Sequence, residues 1–193
     1  MPDCLFQPVA LAHASRLINH GPTVLVSTAH QGRRNLMAAA WSMPVEIMPP
    51  RVAVVVDKQT YTRELLQASG VFALLIPGAA LADLSFAVGS VSGREGDKFT
   101  RFGLQPAASP QLGLPLLQAG VAAWLECRWI PERHTEDAYD TCFAEVVGAG
   151  ADPRVFAEGR WHFTEANRDL HTLHHLGGGQ FAVAGQPLQA RPL

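Results

Sequence analysis

The sequence predicts a mainly β domain with helices inserted between its strands, and three observations point there. Short β-branched or apolar runs recur along the chain, Gly and Pro are spread as turn punctuation, and only two or three segments space their apolar residues helically. Strands arranged in this way suggest a small barrel or sandwich, because closing a sheet removes exposed edges. The first strand is Thr23–Thr28 (TVLVST), read as buried on both faces. The polar cluster Gln31-Gly32-Arg33-Arg34 after it reads as a hairpin tip. Asn35–Trp41 (NLMAAAW) is helical by propensity, yet Pro44 and the alternation Val45-Glu46-Ile47 point to extended chain, so composition leaves this segment open.

Pro49-Pro50 punctuates, and Arg51–Asp57 (RVAVVVD) is the strongest strand signal. Thr60 stands where a helix N-cap belongs, Tyr61–Ser69 carries apolar residues at helical spacing, and Gly70 closes that helix. Val71–Ile76 is a further strand stopped by Pro77, and Ala79–Val88 reads as a helix with Leu81, Leu84 and Val88 on one face. Val121–Trp129 and Cys142–Val147 complete the strands, with the polar stretch Pro131–Asp140 between them. The count is six or more strands and two or three helices.

Composition narrows the function classes. A chain of 193 residues with 48% hydrophobic and 17% charged residues has enough apolar material for one full core and is read as a single domain, 1–193. Its formal net charge of −2 argues against a nucleic-acid or membrane-surface partner. No apolar run reaches membrane-spanning length, and the first residues lack a secretory pattern. Cys4, Cys127 and Cys142 are odd in number and widely spaced, as reduced thiols of a cytoplasmic protein would be.

Three segments could carry chemistry. His171, His174 and His175 form an HxxHH pattern. On one helical turn they would complement the helix dipole, touch a ligand, or bind a metal; without HExxH or a neighbouring carboxylate, metal is not the reading taken. Asp57–Arg63 (DKQTYTR) runs from a strand into a helix N-terminus, where free N–H groups, two threonine hydroxyls, Lys58 and Arg63 would suit a phosphate. On this segment alone the reading preferred is a capped helix with two solvated cations. Gly93–Phe99 (GREGDKF) holds Lys98, one of only two lysines, and reads as either a ligand-contacting loop or an exposed turn. No GxSxG, Walker or GxGxxG motif is present, so a Rossmann cofactor site is a poor fit.

Taken in order, these segments resemble the flavin reductase-like family of FMN-binding split barrels, and within it the flavoredoxin type. The matching residues are Asn35–Pro44 (NLMAAAWSMP), Pro49–Val54 (PPRVAV), Thr60 with Thr62, Val71–Leu74, Ser92-Gly93 with Asp97-Lys98-Phe99, Leu125-Glu126-Cys127, and the ending His174–Phe181. The resemblance implies a split β-barrel with Asn35–Trp41 extended and an FMN site along it. That site would draw on Asn35, Leu36, Met37, Ala38, Ala39, Ala40 and Trp41 beside the ring. The phosphate would lie on Thr60, Thr62 and the helix N-terminus, with Lys58 alongside. Lys98 would be the cation near ring or phosphate, joined by Phe99 and, more loosely aligned, His134 and Phe163. Small residues let backbone groups approach a flat heterocycle, and Trp41 offers apolar surface beside it.

The resemblance further implies a homodimer with the flavin at the subunit interface, and a C-terminal tail, 167–193, packed near the pocket. The implied activity is that of an FMN-dependent oxidoreductase. NADH or NADPH would serve as transient co-substrate, and a second flavin or an electron-acceptor protein would take the electrons. Alternatives are a flavoredoxin-type carrier reduced by a partner protein, a non-catalytic flavin or haem-binding module, and a cofactor-free hydrolase or structural barrel.

Overall fold

The computed structural model describes residues 6–191, and strands dominate them. The first half of the chain comprises β1 (Gln7–Pro8), a 3-10 helix at Leu11–Leu17, β2 (Val24–His30), β3 (Arg33–Ala39), β4 (Ser42–Ile47), β5 (Pro50–Val55), α1 (Tyr61–Ser69), β6 (Val71–Pro77) and α2 (Ala82–Ser90). It continues with α3 (Lys98–Arg101), β7 (Pro106–Ala108), β8 (Pro115–Leu117), β9 (Val121–Ile130), α4 (Arg133–Tyr139) and β10 (Thr141–Ala151). Short strands β11 (Phe156–Ala157) and β12 (Arg160–Trp161), a 3-10 helix at Glu165–Leu170, and the hairpin β13 (Leu173–Gly177) and β14 (Gln180–Val183) complete it.

Eight strands form one antiparallel sheet in the order β3-β2-β6-β9-β10-β5-β4, with β1 against β10. At β2 and β6 both faces are covered, which explains their unbroken apolar runs. Val24, Val26, Phe72, Leu74 and Ile76 enter one core, capped by Ala14 and Leu17 of the first 3-10 helix and Ile18 just after it. Their neighbours Leu25, Ala73 and Leu75 enter a second core with Leu36, Val88 and Phe99.

Of Asn35–Trp41, the part Asn35–Ala39 is extended and the chain bends at Ala40: β3 pairs with β2 from His30↔Arg33 to Val24↔Ala39, and the ladder overrides the helical propensity of its alanines. Gln31 and Gly32, at φ of 48° and 78°, make the two-residue turn between these strands. Helix α1 starts after the Thr60 cap, whose side chain accepts from the Arg63 N–H, and ends at Gly70 with φ of 70°.

Three readings are refined. The helix expected over Ala79–Val88 is a 3-10 turn at Ala79–Leu81 followed by α2. The polar stretch Pro131–Asp140 contains α4, whose seven residues carry no apolar stripe to announce them. The three histidines do not share a helical turn, because the 3-10 helix ends at Leu170 and His174 and His175 lie on β13. No cluster of three metal-ligating side chains occurs among the described residues. Cys127 and Cys142 are buried free thiols, and Cys4 lies outside the described residues. No described helix is long and apolar enough to cross a membrane.

Candidate functional site

A cavity of about 210 Å³ opens between the end of β3 and helix α2. Ala38, Ala39 and Ala40 form one wall, Ser85, Phe86 and Gly89 of α2 a second, and His175 and Phe181 of the terminal hairpin a third. Small residues bring these elements close: a Cβ added at Gly89 would lie 3.4 Å from the Ala38 Cβ. The Ser85 hydroxyl, buried in this wall, has no hydrogen-bond partner. An unpaired buried hydroxyl is costly unless a ligand completes it.

The hairpin β13–β14 turns at Gly177, Gly178 and Gly179 with φ of 102°, 57° and 80°, which side chains rarely adopt. Gly179 sits against the Phe86 ring, where an added Cβ would come within 3.2 Å. The base of the hairpin is tied to β2, since Thr23 N–H donates to Leu173 O at 2.7 Å and His175 N–H donates to Thr23 Oγ1 at 3.1 Å. Beneath it, His20 Nε2 lies 2.9 Å from Thr172 Oγ1, and the His20 ring stands edge-on to Trp161 and His174. Burial, reinforced by the His174 ring, pushes His20 down to about 4.

At the opposite end of β3 a second recess, of about 250 Å³, is bounded by Arg33, Arg34, Tyr61, Gly93, Gly96 and Asp97. At about 3.3 Å of rise per residue, six residues of β3 separate the two recesses by roughly 20 Å. The guanidinium groups of Arg33 and Arg94 lie 5.9 and 5.8 Å from the Tyr61 ring centroid, and both pair with Glu64. Arg34 grips Asp97 at 2.8 Å and holds its carboxyl down to about 2. Asn35 Nδ2 donates to Thr62 Oγ1 at 2.7 Å, while its Oδ1 is buried and unpaired. Gly93 packs so tightly on Asn35 and Tyr61 that a Cβ there would collide with both.

The structure therefore brings Ala38, Ala39 and Ala40 to one cavity and sets Asn35 and Thr62 beside the other. Leu36 is in the core and Met37 is half-buried between them, while Trp41 projects 74% exposed beyond the strand. Thr60 Oγ1 caps α1 and donates to Asp57 O at 2.8 Å, so the segment Asp57–Arg63 is a capped helix start. Lys58 Nζ lies 3.4 Å from the Asp140 carboxylate. Lys98 is 2% exposed and donates to Leu36 O and Val88 O at 2.9 and 2.6 Å; Phe99 is fully buried under Arg34. His134 is exposed on α4 beside Tyr139, and Phe163 is buried between Trp161 and His171; neither lines the two recesses.

Sequence reasoning missed Thr23, Ser85, Phe86 and Gly89 at the first cavity, and Arg33 with Tyr61 at the second. Ser85, a polar residue beside the apolar face of a helix, carries no distinguishing signal in the sequence.

Comparison with known proteins agrees with this architecture. The family model for the flavin reductase like domain matches residues 16–171. The uncharacterized protein YddH of Escherichia coli strain K12 is 54% identical over 187 residues, covering 96% of this chain and 98% of that protein. The crystal structure of an FMN-binding domain of a flavin reductases-like enzyme from Shewanella baltica OS155 superposes with a TM-score of 0.92. Its sequence identity is 43%, and the match covers 96% of this chain and 97% of that one. The flavoredoxin of Desulfovibrio vulgaris (Miyazaki F) shares the fold at a TM-score of 0.74 and 24% identity, covering 88% and 90% of the two chains. Its split-barrel sheet and the family match across residues 16–171 make this chain a member of the flavin reductase-like domain family.

Proposed function

We propose that this chain binds FMN along β3 and works as an NAD(P)H-dependent flavin reductase. The observation that carries the reading is the cavity between Ala38–Ala40 and α2, with Phe86 and Phe181 in its lining and the buried, unpaired Ser85 hydroxyl within its α2 wall. Such a slot fits a planar heterocycle whose edge atoms need hydrogen-bond partners. The arginine-bounded recess at the far end of the same strand suits a phosphate, with Arg33 and Arg94 as donors and Thr62 and Asn35 beside them. The FMN named for the Shewanella baltica relative supports the same choice of cofactor.

When bound, FMN would supply the redox chemistry, accepting hydride from NADH or NADPH and passing electrons to a second flavin or an acceptor protein. The protein's part is to hold and shield. Ala38–Ala40 admit the ring, Phe86 and Phe181 exclude water from its sides, and the hairpin keeps His175 at the rim. The tail from residue 167 thus acts as a wall of the site within a single domain.

The homodimer belongs to the same proposal. Edge strand β4 and its flanks expose Trp41, Met43, Val45, Ile47 and Met48, with a bulge between Pro44 and Glu46 that breaks the strand's alternation. An apolar sheet edge of this length pairs with other chains unless it is covered, and a second copy offers a matching edge. Buried reduced thiols at Cys127 and Cys142 favour a cytoplasmic setting.

Anaerobic mixing with NADH and NADPH tests the activity. Bleaching of the bound flavin by either nucleotide alone is the expected result. A flavin that resists both and is reduced only through a partner protein would replace the reductase with an electron carrier.

A further inference from the structure

We infer that Lys98 is a positioning residue whose buried ammonium bolts β3 to α2 and so sets the width of the slot between them. Its Nζ donates to Leu36 O on β3 and to Val88 O on α2, at 2.9 and 2.6 Å. Leu36 lies two residues before Ala38, and Val88 directly precedes Gly89, so each bond ends beside one wall of the cavity.

Both acceptors are suited to such a donor. Val88 is in the last turn of α2, where carbonyls lack partners within the helix and a cation complements the helix dipole. Strand β3 ends the sheet, leaving one of its edges open to a side chain. An ammonium has three protons, two of which are committed here, and the side chain is sealed among the core that holds Leu36, Val88 and Phe99. Lys98 therefore works through the walls and does not touch what lies between them, whereas the family resemblance alone would set it near the ring or phosphate. The bolt rests on the proposed function only for the identity of the occupant.

The charged groups around it are few. Glu95, Asp97 and Arg101 share its own segment, and Arg34 reaches over from β3, paired to Asp97. Helix α2 carries one ionisable residue, Asp83, in its first turn at the far end from Val88. Burial, with Arg101 adding to it and Glu95 opposing it, pushes Lys98 down to about 8. The charge is thus present below that pH and fades as pH rises through it, and a neutral amine makes weaker bonds than an ammonium.

The test pairs wild type with Lys98→Met, which keeps length and apolarity. In the FMN-free protein, hydrogen exchange at the amides of β3 and α2 is expected to speed up about tenfold in the variant, as loss of a charge-assisted bond implies. Strand β9 should stay protected. Unchanged exchange, or protection lost throughout the sheet, would overturn the proposal. In FMN fluorescence titrations, wild-type affinity should fall between pH 7 and about 9.5, while the variant should bind weakly with no such slope. A flat wild-type profile, or an equal slope in the variant, would likewise overturn it. If no FMN binds but the exchange pattern holds, the proposed cofactor fails and the bolt stands. Should the variant not fold, wild-type exchange decides: raising the pH through about 8 must loosen β3 and α2 relative to β9, after correction for intrinsic rates.

Discussion

At Ala38 any side chain larger than a methyl enters the space between β3 and α2, which is so narrow that a Cβ added at Gly89 would itself lie 3.4 Å from the Ala38 Cβ. Ala38→Leu is therefore expected to weaken FMN binding about tenfold or more, at a stability cost of roughly 1–3 kcal/mol for overpacking. Fluorescence titration beside thermal unfolding separates the two effects; unchanged affinity would place the ring elsewhere. On the other side of the slot, Ser85→Ala removes an unpaired hydroxyl, so the FMN-free protein should be no less stable, while the complex loses one hydrogen bond, about 1 kcal/mol. A variant with unchanged FMN affinity would show that Ser85 makes no contact. The alanines were legible in the sequence through the ordered motif around them. Ser85 was not, since a buried hydroxyl without a partner reads like any helix serine until its surroundings are known.

The terminal hairpin is the element that closes the site, and two histidines lie under its hinge. His20 is held neutral by burial beside His174, with Thr172 Oγ1 as its partner, and no ion pair to either ring occurs among the described residues. Its folded value, about 4, lies below the ordinary 6.5, so the stabilisation is fully present above about 6.5 and is lost as pH falls towards 4. Unfolding midpoints should drop from pH 7 to pH 4.5 in wild type and drop less in His20→Phe; parallel curves would contradict this origin. The sequence grouped these residues wrongly. His171, His174 and His175 looked like one helical turn, but the polypeptide turns to strand after Leu170, and His20, distant in sequence, became the neighbour that matters. Strand β4 belongs at this scale too. Met43→Glu with Ile47→Glu should convert a dimer to monomer in light scattering, because charged side chains on that apolar edge resist pairing. A dimer that persists would locate the interface elsewhere.

Across the whole molecule, a sheet whose central strands are covered on both faces holds the site's walls in register, and the helices are fastened to it by buried polar side chains. Arg63 of α1 donates to Val56 O at 3.0 Å and to Cys142 Sγ at 3.0 Å, lies over Trp129, and pairs with the buried Glu136 of α4 at 3.7 Å. Replacing it by leucine leaves Glu136 without its cation and should cost about 3–5 kcal/mol in denaturant unfolding. The sheet itself was readable from β2, β5, β6, β9 and β10, whose apolar runs have no other plausible conformation. Helix α4 was not, because the Glu136 carboxylate, besides accepting the Glu132 N–H within its own segment, is held by Arg63 from across the fold.

A crystal structure of the protein grown with FMN bears most directly on the central claim. The ring should lie between Ala38–Ala40 and Ser85, with its phosphate towards Arg33 and Arg94. Density for the ring at any other surface, or none at saturating FMN, would contradict it.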